Sequence, residues 1–264
     1  MSKPRILIPE PTSHDPEYNQ RGWSQYAAAV EEAGGIPVVV PLHASQEEQA
    51  QLIAGAQGVL LPGSPADVNP EKFGEPIDPK SAPADPLREA ADELLLQDAF
   101  NLRKPIFGIC YGMQSMNVWR GGSLVQHLET PVNHAPGRHI AEAHPIAVAP
   151  GSLLAELVET AQSAMSPVLV NSSHHQAVAR IGDQLHSVAI SPLDGTIEAV
   201  EGFSGDPGGH ATPGESFVLG VQWHPERTFD SSPLSRQLFR SFVEAAAAWK
   251  PQANGDWKHT GTNK

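Results

Sequence analysis

The sequence predicts an α/β architecture in which helices cover both faces of a largely parallel central sheet, with additional strands in the second half. Three observations carry this prediction. The chain opens with a β-α-β pattern, the alternation continues to a strand-to-helix turn at Cys110, and the later apolar runs are short and separated by turn residues.

Ile6-Leu7-Ile8 reads as a short buried strand, residues 23–33 as a helix closed by Gly34-Gly35, and Val38-Val39-Val40 as the next strand. A helical segment over residues 46–54 and a third apolar run, Gly58-Val59-Leu60-Leu61, follow; that run ends in the turn-rich Pro62-Gly63-Ser64-Pro65. Residues 69–86 are rich in proline and charge. Residues 87–103 then carry a helical pattern with Leu94, Leu95 and Phe100 available to a core, stopped by Lys104-Pro105. Ile106-Phe107-Gly108-Ile109 is a buried strand, and residues 112–119 are helical before Gly121-Gly122, so Cys110 falls at the turn between them. In the second half, strands are expected over 146–148, 168–170, 186–190, 196–200 and 217–221, and a helix over 233–249. Residues 250–264 have too little apolar content to offset the entropy of ordering. The expectation is one domain over residues 1–249 and a flexible tail over 250–264.

Composition narrows the function. With 40% hydrophobic and 18% charged residues, the 264-residue chain can bury a large core. A formal charge of −13 repels phosphate backbones, which argues against nucleic acid as a partner. The N-terminal apolar run is too brief for a signal-peptide core, and no apolar stretch is long enough to span a bilayer, so no membrane partner and a cytoplasmic location are expected. Cys110 is the sole cysteine, which excludes an intrachain disulfide and a thiolate-based metal cage.

The environment of Cys110 is chemically informative. In Gly108-Ile109-Cys110-Tyr111-Gly112 a nucleophilic atom sits between two glycines at a strand-to-helix turn, where flanking residues without Cβ permit a sharp elbow. A helix N-terminus favours thiolate over thiol, and the Tyr111 N–H can donate to the oxyanion of a tetrahedral intermediate. A tight structural turn is the alternative reading. In Gly220-Val221-Gln222-Trp223-His224-Pro225-Glu226, proline biases His224 to extended geometry, so His224 and Glu226 are expected to project to one side, carboxylate orienting imidazole. The chain has 12 histidines, and a structural role is the competing reading for any one of them. A backbone N–H near Gly63 could complete an oxyanion hole, or Leu61-Pro62-Gly63-Ser64 could be an ordinary turn. Asn171-Ser172-Ser173-His174-His175-Gln176 suits contact with a polar substrate or a solvated turn. No metal site is expected there, because adjacent strand side chains face opposite ways and no carboxylate stands at suitable spacing.

Taken together, these motifs resemble the class I glutamine amidotransferase superfamily, and within it the γ-glutamyl-γ-aminobutyrate hydrolase family. The resemblance runs from Ala33-Gly34-Gly35-Ile36-Pro37 through Asp67-Val68-Asn69-Pro70, the Cys110 elbow with Met113-Gln114, Asn117-Val118, Gly121-Gly122 and the 171–176 segment to Gly220–Glu226. It implies a flavodoxin-like core, no cofactor, a γ-glutamyl thioester intermediate, and Cys110, His224 and Glu226 as nucleophile, base and orienting acid. It further implies an oxyanion hole from Gly63 and Tyr111, and Gln114, Ser172, Ser173 and His174 near the glutamyl group. The chain departs from the family pattern at Ser64-Pro65-Ala66, where a Gly-Gly pair usually follows the loop proline.

The expected activity is therefore hydrolysis of a small-molecule γ-glutamyl amide to glutamate and an amine, with a homodimer left open as the assembly. Two other readings stay in play: a glutaminase subunit supplying ammonia to a synthetase, and a non-catalytic relative that retains the fold.

Overall fold

A computed structural model describes residues 2–161, 167–202 and 217–251. Among them, eleven strands join a sheet whose main path can be followed from one edge to the other. The parallel half comprises β1 (Arg5–Pro9), β2 (Ile36–Val40), β3 (Gly58–Leu61) and β4 (Ile106–Ile109), joined by β11 (Val218–Val221), in the order β2-β1-β3-β4-β11. From β11 the sheet continues antiparallel through β10 (Ile197–Gly202), β9 (Leu185–Ile190), β6 (His144–Val148) and β7 (Val168–Val170), while β5 (Ser123–Val125) and β8 (Ala177–Arg180) form a branch off β10.

The central strands read as unbroken apolar runs because helices cover both of their faces. Alternate residues feed two cores. Ile6, Ile8, Leu60, Phe107, Leu219 and Val221 pack on one face under α1 (Pro16–Glu32) and α6 (Pro233–Ala248). Leu7, Val59, Leu61, Ile106 and Val218 pack on the other under α3 (Pro86–Leu102) and α4 (Tyr111–Trp119). This is the mixed α/β architecture the sequence predicts, with its antiparallel additions in the second half.

The differences have local causes. Helix α1 begins at Pro16, well before Trp23, because Asp15 caps it by accepting the Tyr18 N–H at 2.8 Å and proline suits the first turn. Its first two turns are largely polar, so they carry no apolar period. In α3 the buried side is Leu95, Leu96 and Ala99, whereas Leu94 faces solvent. Three elements escape the sequence reading: β5 and β8 are too short to show alternation, and α5 (Leu153–Ala161) has nine residues after a Pro-Gly turn. The expected tail lies outside the described residues from 252 onward.

The parallel strand register brings three chain reversals together. Leu61 pairs with Gly108, and Ile109 with Val221, so β3, β4 and β11 all end at one edge of the sheet. The segments leaving them carry Gly63, Cys110 and His224. Close packing at this edge depends on Gly112: a Cβ there would stand 2.1 Å from the Leu61 carbonyl oxygen, which is backbone and cannot swing aside. Gly112→Ala should destabilise the protein by about 3 kcal/mol or more in chemical denaturation. A loss below about 1 kcal/mol would show that α4 can back away from β3 without consequence.

Candidate active site

Cys110 caps the N-terminus of α4 with φ 52° and ψ −106°, a positive-φ backbone conformation that L residues rarely adopt. Two fixed contacts hold it there. Its N–H donates to the Val221 carbonyl at 2.8 Å, and its carbonyl accepts the Gln114 N–H at 3.1 Å as the helix begins. Gly108 is needed for the same bend, since a Cβ there would come within 2.9 Å of the Gly112 backbone. The predicted elbow is therefore present, with both glycines sterically required.

The imidazole comes from the end of β11. His224 takes φ −116° and ψ 81° before Pro225, and Pro225–Arg227 forms one turn of 3-10 helix. That turn, rather than strand alternation, carries the Glu226 carboxylate back to His224, where Oε1 lies 2.8 Å from Nδ1. The expected pairing is present, although its route differs from the extended one anticipated. Asn171 fixes the backbone of His224 from across the sheet edge: its Nδ2 donates to the His224 carbonyl at 2.7 Å, and its Oδ1 accepts the His224 N–H at 2.8 Å.

Gly63 lies between these groups. A Cβ on it would be 3.0 Å from His224 Cε1 and 3.8 Å from Cys110 Cβ. Its N–H, expected to be available to an oxyanion, donates instead to the buried Tyr26 hydroxyl at 3.1 Å. Ser64, where the sequence departs from the family pattern, accepts the Ala66 N–H at 3.0 Å and closes the turn. The Tyr111 N–H points at the Cys110 thiol.

Two side chains not singled out from the sequence complete the site. Gln222 Nε2 is 3.5 Å from Cys110 Sγ, and its Oε1 accepts from Gln114 at 3.2 Å, which places Gln114 one residue removed from the thiol. Arg227 contacts His224 Nε2 at 3.2 Å through Nη2 and Glu226 at 3.4 Å through Nε. Its position directly after Glu226 in a one-turn helix is the signal that would have found it.

The 171–176 segment divides its side chains. Ser172 donates to the His134 carbonyl at 2.7 Å, and His174 turns into a buried group with His134, His144 and Glu198. His175 faces the other way, to Asp67 Oδ1 at 3.1 Å, as strand alternation anticipated. Ser173 is half-buried between them. Ser172 and His174 are thus engaged by His134 and the buried group, and the carboxylate absent from the local sequence, Glu198, arrives with two imidazoles from other segments.

Electrostatics also revise the anticipated thiolate. Burial pushes the Cys110 thiol up to about 12, with Arg227 and the Tyr111 N–H opposing and Glu226 and Glu198 reinforcing it. Burial likewise pushes His224 below the ordinary histidine range, against the pull of Glu226. The Glu226 carboxyl is raised by burial but held below the usual carboxylate range by His224 and Arg227. The resting site is therefore a neutral thiol, a neutral imidazole and a carboxylate. With Nδ1–H donated to Glu226, the His224 Nε2 lone pair is the proton acceptor, and in this state it faces Arg227.

Comparison with known proteins gives a consistent family. The sequence pattern described as Peptidase C26 matches residues 11–226. The chain is 33% identical over 225 residues to protein NtpR of Enterococcus hirae, covering 83% of this chain and 87% of that protein. It is 36% identical over 233 residues to the gamma-glutamyl-gamma-aminobutyrate hydrolase of Escherichia coli O157:H7, covering 84% of each. In three dimensions it is similar to a Thermoplasma acidophilum protein assigned to GMP synthase, with a TM-score of 0.59, 15% identity and coverage of 94% and 96% of the two chains. That likeness concerns the fold. Among the described residues no helix is long and apolar enough to cross a membrane.

A thiol held neutral by burial reacts only through its small thiolate fraction, which grows with pH. Alkylation of Cys110 by iodoacetamide should be slower than that of free cysteine near neutral pH, and should climb about tenfold per unit between about pH 7 and 10 without a plateau. Stopped samples analysed by mass spectrometry would follow it. A plateau reached by about pH 7 would mean that the helix N-terminus and Arg227 outweigh burial.

Proposed function

The chain belongs to the peptidase C26 family of class I glutamine amidotransferase-like proteins, and from that premise we propose that it is a cysteine-dependent hydrolase of γ-glutamyl amide bonds. The observation that carries this reading is the 2.8 Å His224–Glu226 pair beside a cysteine held at positive φ on a strand-to-helix elbow. The gamma-glutamyl-gamma-aminobutyrate hydrolase among the relatives supports the choice of bond.

In this mechanism the substrate carbonyl enters against the N-terminus of α4, and His224 turns from Arg227 toward Sγ. The thiol proton passes to His224 Nε2 as the Sγ–C bond forms; with the thiol raised and the imidazole lowered this transfer is uphill by itself, and formation of the bond to the carbonyl carbon carries it. The Tyr111 N–H receives the developing oxyanion; Gly63 adds a second donor once its N–H leaves Tyr26. Collapse of the tetrahedral species breaks the C–N bond, and the amine departs with the proton from His224. Water, deprotonated by His224, then attacks the γ-glutamyl thioester and releases glutamate, and the proton returns to Sγ. Throughout, Glu226 holds the imidazole tautomer and stabilises its protonated form.

Cys110→Ala should abolish turnover of γ-glutamyl-γ-aminobutyrate by the purified protein while leaving substrate binding intact. Glu226→Gln should lower kcat by about 100-fold or more with little change in KM, since an amide keeps a hydrogen bond but not the charge. Glutamine serves as a parallel substrate: strong preference for it over γ-glutamyl amines would favour a glutaminase subunit. Near-wild-type turnover in Glu226→Gln beside an inactive Cys110→Ala would reduce the triad to a Cys-His dyad.

A further inference from the structure

Behind the candidate active site, four side chains from separate segments meet in the interior. His134 lies in the loop after β5, His144 opens β6, His174 follows β7, and Glu198 lies on β10; all four are buried. His134 Nδ1, His144 Nε2 and His174 Nε2 stand 3.4, 3.5 and 3.7 Å from Glu198 Oε1, and one ligand atom from each residue lies within 4.8 Å of all the others. None of these three nitrogens, and neither Glu198 oxygen, has a hydrogen-bond partner.

The outer contacts establish which atoms carry protons. His174 Nδ1 lies 2.9 Å from the Gln176 carbonyl, and His144 Nδ1 lies 3.1 Å from the Pro145 carbonyl. A carbonyl only accepts, so both Nδ1 atoms donate, and in that tautomer Nε2 is the lone pair of each ring. His134 Nε2 lies 2.8 Å from Asp194 Oδ2. Asp194 acts as an acceptor throughout, taking the Thr130 hydroxyl at 2.7 Å on Oδ2 and the Thr196 N–H at 3.2 Å on Oδ1. His134 therefore donates to Asp194 through Nε2, and the tautomer that does so carries its lone pair on Nδ1. In these tautomers three imidazole lone pairs converge on the Glu198 side chain.

Four buried acceptors facing one another repel unless a cation stands between them. We propose that His134, His144, His174 and Glu198 bind a divalent transition-metal ion of the zinc type. The spacing fits: metal–ligand bonds of about 2.0–2.1 Å in a tetrahedron put ligand atoms about 3.3 Å apart, close to the observed contacts with Glu198 and too long for charge-assisted hydrogen bonds. Three imidazoles with one carboxylate suit zinc, cobalt or nickel rather than calcium or magnesium, which take oxygen ligands. Four protein ligands fill a tetrahedral shell, so the site is structural. It ties the 126–143 loop and the segment after β7 to β10. Asp194, Gln176 and Pro145 are the outer groups that orient imidazoles in such sites.

The full chain, purified without metal-affinity resin, is stripped with a chelator and titrated separately with Zn2+ and Co2+, with metal content read by elemental mass spectrometry. The expected result is one equivalent bound, visible d–d absorption characteristic of four-coordinate Co2+, and a Tm that rises with free Zn2+. Cys110→Ala should bind the ions unchanged. The isosteric Glu198→Gln should weaken Zn2+ binding by about 100-fold or more, and Asp194→Asn, which leaves all four ligands in place, by about 10–100-fold. A stripped, folded protein that takes up neither ion and keeps its Tm would overturn the proposal. So would binding that persists unchanged in both Glu198→Gln and Asp194→Asn.

Discussion

The contact on which the site depends is that of Gly112 with the Leu61 carbonyl, where the first turn of α4 rests against the end of β3 with no room for a methyl group. Because α4 lies that close, β4 must reverse sharply, and Cys110 takes the positive φ that turns its thiol out of the sheet edge. The same proximity puts Gly63 beside both Cys110 and His224. Parallel pairing of β4 with both β3 and β11 supplies the rest, since strands in register end together and their loops leave side by side. A packing constraint on one glycine thus fixes the relative position of three segments far apart in sequence.

Burial at this edge determines the chemistry as well as the geometry. A thiol–imidazole pair in water could hold its proton on either group, but here desolvation disfavours both ions, lifting the thiol and lowering the imidazole. The charge that survives is on Glu226, which has a donor on the imidazole and a guanidinium beside it. Arg227 has two opposed effects: its charge eases thiol ionisation, while its contact with Nε2 occupies the lone pair that would accept the proton. A substrate that draws the guanidinium away would free the base at the moment it is needed.

Much of this is legible in the sequence because it rests on local chemistry. Short apolar runs mark β3 and β4 residue for residue, glycines flanking Cys110 mark the elbow, and Pro225 marks the departure from β11. The His224–Glu226 pair is legible as a spacing, although the 3-10 turn that closes it is not. What the sequence hides is whatever depends on partners distant in the chain. Tyr26 occupying the Gly63 N–H, Asn171 clasping the His224 backbone and Gln222 meeting the thiol all join segments whose proximity only the sheet order supplies. The thiol's protonation departs from the local reading for the same reason: a helix N-terminus is visible locally, whereas the packing that desolvates it is not.

The 171–176 segment shows how a single loop serves two centres. Asn171 faces His224 while His174 faces Glu198, and the Gln176 carbonyl lies between, accepting from both His174 Nδ1 and Gln114 Nε2. A carbonyl oxygen has two lone pairs, so both donors can be satisfied, but neither can move without disturbing the other. Gln114 in turn holds Gln222, whose amide reaches Cys110 Sγ. The orientation of the His174 ring is therefore connected to the amide beside the thiol through three consecutive hydrogen bonds, and a fourth reaches Sγ itself. Whatever fixes His174 in its buried group also limits how the two glutamines can turn, and the order of the interior cluster becomes a condition for the order of the candidate catalytic one.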